Sequence, residues 1–192
     1  MIISIKMKKS ITFILSSCIV IAIYAVGFTA SAQSQTRSRG VYGELLGASQ
    51  GLGFNYDARF DKESSDGFGW RAGIGVGYSY SSIIAFYYSD GNMADTYNQM
   101  FRLAMPIEVN YLLGKGSSKL EAGAGGVMCV DLFTSASGAR PKSTTGIVPY
   151  LNLGYRLVAN KGFLFRVGVL SSYNFNSDKA ILYPYLGFGK AF

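Results

Sequence analysis

The sequence predicts an all-β protein: an eight-stranded antiparallel up-and-down β-barrel that spans a membrane, preceded by a cleavable signal peptide. Three observations predict it. Beyond residue 40, apolar residues recur with period two and not 3.6, the period of strands. There are eight such runs, separated by turn-rich pieces. Within the runs, bulky apolar and aromatic residues hold one face, while glycines and a few charges hold the other.

The elements follow in chain order. Residues 1–32 read as a signal peptide. Lys6, Lys8 and Lys9 form a basic start, Ile11–Phe28 is apolar, and Ala30 and Ala32 supply the small-x-small cleavage pattern. A retained anchor would also suit so long an apolar stretch, but the Ala-x-Ala ending favours cleavage. Cys18 sits in a loose lipoprotein-like box, yet the residues after it are apolar where a lipidated end needs a polar tether. Residues 33–39 form a short N-terminal segment, and 40–192 the barrel. Cys129 is then alone, so no internal disulfide forms, and a buried bystander thiol suits it better than a reactive one.

The first run, Gly40–Ala48, is the weakest, with Val41 and Leu45 against Glu44. Gly51–Phe60 opposes Leu52, Phe54 and Tyr56 to Gly53, Asn55, Asp57 and Arg59. Phe68–Tyr80 opposes Trp70, Ile74, Val76 and Tyr78 to Arg71 and four glycines. Arg102–Leu113 and Leu120–Leu132 each carry an apolar face against Arg102, Glu108 and Asn110, and against Glu121, Cys129 and Asp131. Gly146–Leu157 sets Ile147, Leu151 and Leu153 against Tyr150, Asn152 and Arg156. Phe163–Tyr173 sets Phe163, Phe165 and Val167 against Arg166, and Ile181–Phe192 closes the series.

A small soluble barrel puts its apolar face inside. Here that face carries too much aromatic bulk for an eight-stranded lumen, and the other face has too few lysines for a wet surface. The inverted arrangement fits: bulky residues toward lipid, small and charged residues toward a narrow interior. Bilayer-spanning strands must close on themselves, because no water is present to satisfy a free edge. The expected interior set is balanced, with Glu44, Asp57, Glu108, Glu121 and Asp131 against Arg59, Arg71, Arg102, Arg156 and Arg166. Every cation is arginine, whose fork pairs bidentately with carboxylates. Such a network reads as a structural plug, with an ion or proton path as the competing use. The lysines fall in turns or at strand ends. The inner-face glycines should leave room for long side chains from across the barrel.

Pro106, Pro149 and Pro184 fall inside proposed strands, where each removes a ladder donor. Their spacing from the strand ends places them at one height near the outer rim, where the ladder should loosen. With both termini periplasmic, the long stretches 81–101 and 133–145 become extracellular loops. The segment 83–88 either extends the third strand or offers a recognition surface.

On "PIEVNYLLGK" at 106–115, "LEAGAGG" at 120–126, "YLNLGYRLVANKGFLFRVG" at 150–168 and "YLGFGKAF" at 185–192, the chain resembles the small eight-stranded outer-membrane β-barrel proteins of Gram-negative bacteria. These are often described only as barrel-domain or porin-family proteins. The resemblance covers about residue 40 to the end. It implies location in the cell outer membrane and contact with lipid and lipopolysaccharide. It also implies an assembly signal at Phe188 and Phe192, read by the barrel-assembly machinery during insertion; Lys190 departs from that pattern. It implies little about activity.

The chain has no histidine. Outer-membrane hydrolases and acyltransferases resemble one another in using a histidine base, so those mechanisms are unavailable and no enzyme is expected. No cofactor or metal is expected either: a G-x-G-x-x-A match at 67–72 has no helix after it, and no EF-hand-like spacing occurs. After signal removal 15 basic face 11 acidic residues, a scattered +4 that does not suit nucleic acid. The expected function is a non-enzymatic barrel, structural or binding an unknown extracellular ligand through its loops. The alternatives are a narrow channel or transporter for small solutes and a soluble ligand-carrying barrel.

Overall fold

The computed structural model describes residues 37–80, 99–134, 140–174 and 179–192. Eight strands follow one another: β1 Arg39–Leu46, β2 Gly51–Arg59, β3 Gly67–Tyr80, β4 Gln99–Leu113, β5 Ser118–Thr134, β6 Lys142–Val158, β7 Phe163–Asn174 and β8 Lys179–Ala191. Each pairs antiparallel with its neighbour in sequence, and β8 returns to β1 to close the barrel. Gly40 pairs with Ala191 and Leu46 with Tyr185 across that seam. Backbone bonds between Arg39 and Phe192 (2.9 and 3.2 Å) extend it to the last residue. Closure leaves no sheet edge along the paired ladders, which is what a hydrocarbon surround demands.

The side chains point as the alternation requires. Ile74 and Val109 are 53% and 50% exposed on the outer wall, while Arg71 is fully buried in the lumen. Phe165 lies on the outer wall against Phe188, ring centroids 5.3 Å apart. Exposed rings (Phe68, Tyr111, Phe163 and Phe192) stand at the end that holds the termini. An inverted, soluble arrangement with these apolar groups at the centre is excluded by this geometry.

The strands differ from the expected runs mainly at the end opposite the termini. There β4, β5 and β6 run on through Gln99, Thr134 and Lys142. The first run instead ends early. Residues 47 and 48, expected within it, belong to a 3-10 turn, Gly47–Ser49, that is wholly buried. Leu46 and Gln50, flanking it, have φ of 62° and 59°. Such left-handed backbone is uncommon outside glycine, and it folds the hairpin tip back into the lumen. Ala48 thereby joins Ala104, Val127, Tyr150, Leu170 and Tyr185 in an apolar cluster inside the barrel. The sequence pattern cannot reveal this, because a strand that continues and a turn that dives inward both bury small residues.

The prolines mark breaks in pairing. The β3–β4 ladder skips Gly73 and Ile74 opposite Met105 and Pro106. The β6–β7 ladder ends at Tyr150↔Ser172, one residue short of Pro149. The β1–β8 ladder ends at Leu46↔Tyr185, one residue short of Pro184. Their height differs from the expectation, however. Pro106 and Pro149 are midway along β4 and β6, whose upper halves still pair with β5 up to Phe133↔Lys142. The prolines thus lie near mid-strand, not at the rim of the long strands. The signal segment, most of the 81–101 stretch with its 83–88 segment, and residues 135–139 of the second loop lie outside the described residues.

Candidate functional site

The lumen holds the chemistry-bearing residues. Period-two alternation aims every second side chain of each strand inward, and all ten charged residues read from the sequence are buried there. Eight of them form one unbroken alternating chain. Glu108 accepts from Arg71 Nη2 at 2.6 Å, and Arg71 Nη1 donates to Glu44 at 2.9 Å. Glu44 also accepts from Arg166 at 3.0 Å, and Arg166 pairs with Glu121. Glu121 accepts from Arg156 Nε at 2.9 Å. Arg156 then forks onto both oxygens of Asp57 at 2.8 and 3.0 Å, and Asp57 accepts from Arg59 at 2.7 Å. The remaining two residues, Arg102 and Asp131, face each other in register on β4 and β5 and form a bidentate pair at 2.6 Å.

Register alone does not choose these partners. Asp57 lies opposite Arg71 in the β2–β3 ladder, yet it bonds Arg59 and Arg156 instead. Arg156 and Arg166 are direct neighbours in the β6–β7 ladder, a like-charge pairing that is unfavourable by itself. Glu121 resolves it by accepting from both, with Arg166 Nε at 3.1 Å. Each guanidinium in the network has at least one carboxylate within hydrogen-bond reach, which buried charge requires.

Several neutral residues complete the network, some of them read from the sequence as inner-face residues without a role in it. Asn152 Nδ2 donates to Glu108 and Glu121, both at 3.1 Å. Asn110 donates to Asp57 at 2.9 Å and accepts from Arg59 at 2.6 Å. Arg166 is sandwiched between aromatic rings, with Cζ 4.5 Å from the Tyr42 centroid and 5.0 Å from that of Tyr185. Tyr150 packs beside Arg71, and its hydroxyl oxygen accepts from Arg71 Nη2 at 3.1 Å. Alternation already puts Asn110, Tyr150 and Asn152 on the inner face. Tyr42 stands two residues before Glu44, on the same side of β1.

The inner glycines make room sideways, not across the barrel as expected from the sequence. A Cβ on Gly69 would strike the Arg59 guanidinium of the adjacent strand, its register partner. One on Gly123 would lie 2.6 Å from the Glu108 carboxylate of β4. Gly154 makes room for the Tyr185 hydroxyl, which reaches past β7 from β8. Lys119 also departs from its expected place in a turn: it is buried in β5 and donates to the Ser65 hydroxyl at 2.7 Å, tying the β2–β3 turn to the barrel floor.

Among the described residues, two openings in the lumen are small. A void of about 20 Å³ lies among Ala48, Gln50, Arg102, Tyr150 and Ser172. Another, of about 10 Å³, lies near Arg37, Asp57, Arg59 and Arg156. These hold a water molecule at most. Among the described residues no group of three or more cysteine, aspartate and glutamate side chains is placed to hold a metal ion. The five lumen carboxylates are committed to guanidinium groups.

No protein-family model matches the sequence, and no curated protein matches it. Solved structures do resemble the fold. The barrel is similar to the N-terminal β-barrel domain of Pseudomonas aeruginosa OprF, with TM-score 0.53 at 11% identity over 83% of this chain and 100% of that one. It is also similar to Ail, the attachment invasion locus protein of Yersinia pestis, with TM-score 0.51 at 11% identity over 82% and 100% of the two chains. At such identities the likeness is one of fold: a small, closed, eight-stranded barrel of the outer-membrane type.

Proposed function

We propose that this chain is a non-enzymatic outer-membrane barrel whose filled wall-and-plug scaffold carries extracellular segments, about 81–101 and 133–145, as structural or ligand-binding elements. The carrying observation is the combination of an exposed apolar belt on a closed barrel with a lumen packed by ion pairs. A belt of this kind in water would be a severe aggregation liability, whereas in lipid it is the stable surface. In this reading residues 1–32 direct export, both termini face the periplasm, and Phe188 and Phe192 serve insertion by the barrel-assembly machinery.

The filled interior speaks against the channel alternative. Any solute or ion crossing it would have to separate Arg71 from Glu44 and Glu108, or Arg166 from Glu121. Breaking a buried pair costs about 3–5 kcal/mol. The test is direct. Membrane fractionation should recover the protein in the outer membrane, and unboiled samples should migrate faster on denaturing gels than boiled ones. Planar bilayers carrying the folded protein should show no stepwise conductance. A soluble periplasmic product would overturn the membrane assignment, and regular single-channel steps would overturn the sealed lumen.

A further inference from the structure

The end of the barrel that holds the termini carries an excess of positive charge among the described residues. The lumen network balances, five acids against five arginines. At the end that holds the termini, the described residues leave an excess of four positive charges. There Arg37, Arg39, Lys62, Lys115, Lys161 and Lys190, with the buried Lys119, face only Asp61, Glu63 and Asp66.

The position of the four exposed lysines is specific. Lys62 follows Phe60 by two residues, Lys115 follows Leu113 by two, and Lys161 precedes Phe163 by two. Lys190 projects outward between Phe188 and Phe192 and lies opposite Phe163 in the β7–β8 ladder. Phe60, Leu113, Phe163, Phe188 and Phe192 are all exposed on the apolar wall. Lys190 thus stands at the lower edge of the belt, and Lys62, Lys115 and Lys161 stand in the turns just beyond it, where a long flexible stem can follow acyl chains while its ammonium reaches the headgroups.

We infer that this end is a docking surface for anionic phospholipid headgroups, holding a preferred shell of phosphatidylglycerol-type lipid in the periplasmic leaflet. The inference rests on the outer-membrane reading above. Basic residues near an anionic lipid surface each favour binding by a factor of about five at moderate salt, and the effect fades as the Debye length shrinks.

The test uses the full mature barrel, Gln33–Phe192, folded into phosphatidylcholine vesicles with trace spin-labelled phosphatidylglycerol or phosphatidylcholine. The relative association of the two labels is read from the motionally restricted spectral component. The expected result is a preference of about fivefold for phosphatidylglycerol at low salt, falling toward one in about 0.5 M NaCl. The fourfold variant Lys62→Gln, Lys115→Gln, Lys161→Gln and Lys190→Gln should show a ratio near one while keeping its heat-dependent gel shift. A ratio of one in the unaltered barrel, or an unchanged preference in the variant, would overturn the inference. Co-sedimentation with purified peptidoglycan that the variant loses, without lipid preference, would reassign the surface to the cell wall and also overturn it. Failure of the chain to insert at all, read from the absence of a gel shift, would instead defeat the membrane reading on which this one depends.

Discussion

Glu121 is the residue on which the lumen balance turns. Arg156 and Arg166 are neighbours in register, and Glu121 accepts from both, with Asn152 as a further donor. Glu121→Gln keeps the shape and an acceptor oxygen but removes the charge. Arg156 still has Asp57 and Arg166 still has Glu44, so neither guanidinium is abandoned. The loss is one carboxylate shared by two buried cations, which places the cost at about 3–5 kcal/mol. With a urea slope of about 2 kcal/mol per M, the unfolding midpoint should fall by about 2 M. Trp70, the single tryptophan and part of the outer wall, reports unfolding by fluorescence in lipid vesicles. The double variant Glu121→Gln with Arg166→Met restores the charge balance and should be less unstable than the sum of the singles by about 1 kcal/mol or more. Glu63→Gln, in an exposed turn, should stay within about 0.5 kcal/mol. A loss under about 1 kcal/mol for Glu121→Gln, or strict additivity in the double, would refute the picture of Glu121 as a shared counter-ion.

Three other outcomes are expected. Gly154→Ala places a methyl group on the Tyr185 hydroxyl and should destabilise the barrel by about 1–3 kcal/mol; Tyr185→Phe in the same chain should recover part of that, measured by the same urea titration. Pro106→Ala supplies a missing donor, so hydrogen exchange at Gly73 and Ile74 should slow relative to the unaltered barrel, and equal rates would disprove the break. Phe192→Ala leaves the backbone bonds to Arg39 in place, so refolding in vitro should be unaffected, while the yield of folded barrel in cells should fall.

Period two made most of this molecule readable. It delivers the strand count, the facing of most wall residues and ten of the charged residues of the interior, because each strand in a closed barrel obeys one rule. Choice of partners was not readable. Glu108 and Arg71 meet in register, but Glu44 and Arg166 meet only because the barrel is closed through β8. Long side chains with several staggered options settle their pairings by three-dimensional proximity. The inward turn at Gly47–Ser49 was also hidden, since its signal is backbone conformation at Leu46 and Gln50 and not side-chain type. Lys119 misled for a similar reason. Its type favours the surface, but its place on the inner side of β5 and the nearby Ser65 carbonyl override that preference.

The tucked tip between β1 and β2 changes what this end of the barrel offers to anything approaching from outside. An antibody or a protease finds no protruding hairpin there, since Ala48 and Ser49 are already spent on the interior. An epitope tag inserted between them would have to burst the packing around Tyr150 and Leu170 to be seen. Variation at that tip is therefore policed by fit, not by exposure.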